Sequence, residues 1–192
     1  MPFLPGPLQR AFDTGTTVVT PNRRLARGLV ALYDRQARAA GRVVWPAATA
    51  LPWDAWLQTL WQQALAAGVV PAGARLRTPP QAAHAWSRIV STQATQFIDP
   101  RGAAILAADA WALVHAWGAG GASWRAWEGD DTADDCAAFA RWANRYAHGL
   151  TESGAIDLAG LPDRICDWAS AIPSLRGAAF AFAGFAEFAP QQ

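Results

Sequence analysis

The hydrophobic pattern changes period early in the chain. Residues Thr16 to Thr20 form a β-branched run, and from Pro21 to Ala40 the apolar positions recur at helical spacing. The pattern predicts a strand over 16–20 feeding a helix over 21–40, with Thr20 as N-cap, Pro21 as the first helical residue and Gly41 as the stop. Leu25, Leu29, Leu32 and Tyr33 share one helical face, and Arg24, Arg27, Arg35 and Arg38 lie within roughly 60° on the opposite one. A short helix over Leu8 to Asp13 precedes the strand. A second short extended piece is expected at Arg42 to Trp45, before Pro46, and Ala47 to Leu51 leads into Pro52.

From Pro52 to about Ser170 the pattern is almost wholly helical. Trp53, Trp56, Leu57, Leu60, Trp61 and Ala64 form one stripe; Ala82, Trp86, Ile89 and Val90 form another; Leu106, Ala110, Leu113 and Trp117 form a third. Thr132 and Asp135 have capping-box spacing for a helix to about His148 with Cys136, Phe139, Ala143 and Tyr146 inward, and a further helix is expected over Leu161 to Ala171. After Pro173, Ala178 to Gly184 reads as a small-residue buried strand.

Two strand-bearing ends around a helical middle define a mixed α/β fold with a parallel sheet and a large all-helical insertion. The expected divisions are 1–45 for the first part of the core, 46–175 for the insertion and 176–192 for the returning strand. The strands at 16–20 and 178–184 should share one sheet, because a long helical crossover permits parallel pairing.

Charge divides unevenly along the chain. The net charge is +1, but residues 1–42 carry seven Arg against two Asp, whereas 123–167 carry four Arg against nine acids. Different parts are expected to meet different partners. All sixteen basic residues are Arg, which genomic base composition explains and which excludes a Walker A lysine, a Schiff base and a lysine general base. Arginines at the start of the 21–40 helix oppose its macrodipole, a conflict that an anionic partner removes. Cys136 and Cys166 match no metal or redox spacing and are expected to be reduced core thiols. The chain lacks both a membrane-spanning run and a signal-peptide pattern, so a soluble cytoplasmic protein is expected.

Three segments carry a resemblance. VVTPNRRLARGL, GRVVWPAATALPWDAWLQTLW and FAGFAEFAPQQ resemble the N-terminal region of bacterial probable DNA repair proteins, which are similar to AddB-type subunits joining a superfamily-1 helicase-like region to a PD-(D/E)XK nuclease. The resemblance implies an incomplete P-loop, RecA-like core in which the helical middle corresponds to subdomain 1B. Thr20, Asn22, Arg23, Arg24 and Arg27 would then form the motif Ia turn that meets the backbone of single-stranded or end-containing DNA. Gly184 to Gln192 would occupy the Walker B position, with Glu187 as its remaining carboxylate. The nuclease motif would lie beyond Gln192, making this chain an N-terminal fragment that works beside a partner helicase-nuclease subunit. Pro5 to Gly15 has neither the spacing nor the lysine of a P-loop, and Gly184-Phe-Ala-Glu187 lacks consecutive acids. Phosphoryl transfer would lose most of its electrostatic stabilisation. The expected role is a non-hydrolysing scaffold with no cofactor and no catalytic or metal-ligating residue.

Other chemistry is weaker. Asp130, Asp131, Asp134 and Asp135 match the acidic pattern with which terpene synthases hold magnesium and a diphosphate, but acids in a helix's first turn are stabilising without a ligand. His84, His115 and His148 stand singly, without metal-ligand spacing. Trp53, Trp56, Trp61, Trp86 and Trp117 fall on apolar stripes and read as core; Trp45 and Trp124 are the candidates for exposed base stacking. A protein-interaction module, with the arginines merely solvated, is the alternative of a different class.

Overall fold

The computed structural model describes residues 3–92, 99–118, 124 and 134–192. The fold is mixed α/β and predominantly helical, and it divides into two compact units, residues 1–69 with 167–187 and residues 70–166 with 188–192.

The first unit is built on a three-stranded parallel sheet ordered β2-β1-β5, from Ala50–Pro52, Thr17–Thr20 and Phe180–Phe182. Val18 pairs with Ala50 on one side and Ala181 on the other, so the two expected strands at the ends of the chain do share a sheet. Side-chain alternation sorts the layers. Val18, Ala50, Ala181 and Ala183 face α1 (Gly6–Asp13) and α2 (Arg23–Ala39), packing with Phe12, Leu29 and Tyr33. Phe180 and Phe182 face the opposite way, where Trp56 of α3 (Trp53–Ala66) meets both rings at centroid distances of 5.3 and 6.0 Å. Small residues on one face and rings on the other explain the Ala-Phe alternation of β5.

Residues Arg42 to Trp45 are not a strand. Val43 and Val44 are 91% and 85% exposed, and the ladder beside β1 is taken by Ala50–Pro52, with Val18 N–H donating to Thr49 O at 2.9 Å. β-branched residues without a partner edge stay irregular. Consequently β2 and α3 belong to the sheet-bearing unit, which continues to Val69 rather than ending near residue 45.

The second unit is a helical cluster of α4 (Pro79–Ser91), α5 (Pro100–Trp117) and α6 (Asp134–Glu152), tied by a two-residue parallel pairing of β3 (Arg75–Leu76) with β4 (Ala155–Ile156). The helix α7 (Leu161–Trp168) spans the division between the units. The core of the second unit holds Trp86, Val90, Trp111, Trp124, Phe139 and Tyr146. Asp157 is buried among them; its carboxylate accepts Trp111 Nε1–H at 2.8 Å and Gly160 N–H at 3.0 Å. Paired donors offset the cost of burying the charge.

The third stripe expected from the pattern faces the wrong way. Leu106, Leu113 and Trp117 are 70%, 59% and 48% exposed, and α5 instead buries Ala104, Ala107 and Trp111. α5 is apolar nearly all round, so periodicity does not choose its inner face, and small alanines permit the closer approach to α4. Cys136 and Cys166 are free and exposed, not core thiols. Among the described residues no helix is long and apolar enough to cross a membrane.

His115 lies edge-on to Trp111, with ring centroids 4.4 Å apart and both ring nitrogens unpartnered among the described residues. Burial holds its pKa below the usual 6.5, against an opposing pull from Asp157 and Asp163. The native state therefore keeps this ring neutral while the unfolded chain takes up a proton, so stability rises with pH through the interval just below 6.5. Urea unfolding of the second unit is expected at lower midpoint near about pH 5 than near about pH 7.5, and His115→Phe should flatten that difference. An unchanged pH difference in His115→Phe would contradict the assignment.

Candidate functional site at the start of α2

The C-terminal ends of the three parallel strands lie along one sheet edge, and β1 feeds directly into α2 there. The chain runs from β1 to β2 and later returns on the other side of β1, so strand order reverses at this strand. Such reversals leave a crevice beyond the strand ends, where open α/β sheets take ligands.

The helix begins at Arg23 rather than Pro21, and Asn22 rather than Thr20 is its N-cap. Asn22 Oδ1 accepts Leu25 N–H at 2.9 Å. Thr20 is 0% exposed, and its hydroxyl donates to Asn22 O at 3.0 Å with Leu51 O at 3.4 Å. The hydroxyl thus ties the turn between β1 and α2 to β2 and does not face an outside ligand. Thr20 positions the turn; it does not offer a contact.

Gly184 braces the same turn from the other side. It follows β5 with φ +80°, and a Cβ placed on it would run into Leu25 Cδ2 and lie 3.8 Å from Pro21. The positive φ requires glycine, and an added Cβ would also displace the end of the Leu25 side chain. Sequence spacing alone does not reveal this structural role.

The arginines of α2 and the residues just after it divide into two groups. Arg38 stacks over the Trp45 ring at 5.7 Å, and Arg42 pairs with Asp13 at 3.0 Å, a carboxylate that also accepts the Tyr33 hydroxyl at 2.7 Å. The Tyr33 hydroxyl and then Arg42 hold the Asp13 carboxyl below its ordinary value. Arg23, Arg24, Arg27 and, two turns further on, Arg35 are exposed, and no hydrogen bond or ion pair to a described residue engages any of them. The cap leaves the Arg23 and Arg24 amides as free first-turn donors among the described residues. The first turn of α2 contains no acid, whereas α3 carries an exposed Asp54 in its own first turn. Along this edge, exposed arginines and free amides therefore coincide at the start of α2.

Glu187 is exposed beyond β5, and no group of three or more His, Cys, Asp or Glu suited to a metal ion occurs among the described residues. Gln191 is engaged in the second unit, its Nε2 donating to Ala159 O at 2.8 Å and Asp163 Oδ2 at 3.2 Å. Asp134 and Asp135 occupy the first turn of α6, while Asp130 and Asp131, with Thr132, lie outside the described residues. Trp124 is buried, and Trp45 is half-buried with Nε1–H donating to Asp34 at 2.9 Å, so neither presents a free stacking face. No protein-family model, curated protein or solved structure matches the chain.

Proposed function

We propose that the start of α2 contacts the phosphate backbone of single-stranded DNA, on a RecA-like, non-hydrolysing scaffold within a cytoplasmic DNA-repair helicase-nuclease that acts with a partner subunit. One observation carries the reading: Arg23, Arg24 and Arg27 gather beside the free first-turn amides of α2 with no partner among the described residues. Further along, Arg38 and Arg42 are engaged, and Arg35, also without a partner among the described residues, stands away from those amides. Three guanidinium groups beside two free amides form a donor set matched to phosphate oxygens. The arginine-dipole conflict at this helix start is relieved by the same ligand. Thr20 and Gly184 hold the turn from behind. Glu187 belongs to no group of three or more metal-ligating side chains among the described residues and supplies no route to nucleotide hydrolysis in this reading.

A protein-interaction module is favoured by one separate observation, the exposed Leu106, Leu113 and Trp117 stripe of α5. Salt separates the two. Binding of a labelled oligothymidylate should weaken linearly on a log-log scale with salt. Arg23→Ala with Arg24→Ala should reduce that slope by about 1.4, or roughly 0.7 for each phosphate of a single strand that is no longer neutralised. An unaltered slope and affinity in the double variant would remove the α2 turn from the interface.

A further inference from the structure

The second unit concentrates positive charge in a place that no run of sequence reveals. Arg75 and Arg77 come from β3 and its end, Arg88 from α4 and Arg145 from α6. They line two adjoining hollows of about 550 and 400 Å³ that share Arg77 and Arg88. Arg77, Ala85 and Arg88 line both hollows, which therefore lie side by side around them. His84 lies on the same lining, one helical turn before Arg88.

Neutral groups hold three of these four arginines. Arg75 donates to Ser153 O at 3.1 Å, Arg77 to Ser153 Oγ at 3.3 Å and Arg145 to Thr92 Oγ1 at 3.1 Å. Arg77 also stacks on the Tyr146 ring at 5.3 Å, and that ring lies nearly parallel to buried Trp86 at 4.3 Å. Among the described residues none of the four forms an ion pair. Glu152 is the one carboxylate among the described residues of either lining, and it sits 3.1 Å from His148. Guanidinium groups held in place by neutral partners keep their charge and donors for an outside anion.

We infer that this cleft is a phosphodiester-binding track for a single-stranded nucleic acid, separate from the α2 turn. Four arginines spread over the linings of two adjoining hollows fit successive backbone phosphates better than one compact anion. Tyr146 and Trp86 are covered by their own stack, so the track reads charge and not base identity.

The test is anisotropy of a labelled oligothymidylate on the full chain across a salt series. Replacing Arg75, Arg88 and Arg145 together by Ala is expected to reduce the log-log salt slope by about 2, whereas the triple Lys variant should retain it. All three side chains are exposed, and Arg88→Ala, which removes no hydrogen bond among the described residues, gives a single-site check with a reduction of about 0.7. Oligoadenylate should respond as oligothymidylate does. Native slope and affinity in both the triple Ala variant and Arg88→Ala would overturn the track. Repeating the series in the Arg23→Ala, Arg24→Ala background separates the two sites. A cleft effect that persists there supports the track even if the α2 variant itself binds normally, and an α2 effect with no cleft effect removes the track alone.

Discussion

Trp86→Ala is expected to destabilise the second unit by about 3–5 kcal/mol, the range for removing a large buried aromatic side chain. Trp86 is 2% exposed, stacks on Tyr146 and packs against Trp111 at 6.0 Å. Its ring thereby joins Trp111 to the Arg77-Tyr146 stack at the cleft. The destabilisation should appear as a lower denaturant midpoint at nearly constant m-value. A conservative Trp86→Phe should retain part of the stability. A cost under about 1 kcal/mol for the Ala variant would mean that the stack is not a cornerstone of this core.

Gly184→Ala is expected to cost the sheet-bearing unit about 1–2 kcal/mol for a side chain on a left-handed backbone, with a smaller packing cost for moving the end of the Leu25 side chain aside. The added methyl pushes on the first turn of α2. Oligonucleotide affinity should therefore fall in Gly184→Ala even at temperatures where the variant remains folded. Leu25→Ala in the same chain makes room and should recover part of the packing cost, leaving the backbone component. Native stability in Gly184→Ala would contradict the close approach of β5 to the start of α2.

Much of the sheet-bearing unit is legible in the sequence because its strands declare themselves locally. Thr17–Thr20 is a β-branched run, Phe180–Phe182 alternates ring with methyl, and the long helical stretch between them permits the parallel pairing that is found. The helix starts two residues later than the pattern predicts because Thr20 and Asn22 are both good caps. Tertiary contact decides between them: Leu51 O draws the Thr20 hydroxyl inward and leaves Asn22 to cap. Val43 and Val44 read as strand on propensity alone, yet a strand needs an edge, and Ala50–Pro52 holds it.

The helical unit is less legible. On α5 the leucine face and the alanine face have similar apolar periodicity, and only the fit against α4 selects Ala104 and Ala107. β3 and β4 are two residues each, too short for any pattern to announce. The arginine cleft escapes a charge count altogether. Arg145 lies in a stretch with a net excess of acids and joins Arg75, Arg77 and Arg88 only through folding.

Whether the start of α2 meets nucleic-acid phosphate is read most directly from amide and arginine side-chain NMR shifts, recorded while an unlabelled oligothymidylate is added. The Arg23 and Arg24 amides and the Arg23, Arg24 and Arg27 guanidinium signals should move saturably. Arg42 should stay still in its pair with Asp13, and added salt should reverse the shifts. Binding that leaves the Arg23, Arg24 and Arg27 signals in place would contradict phosphate contact at this turn.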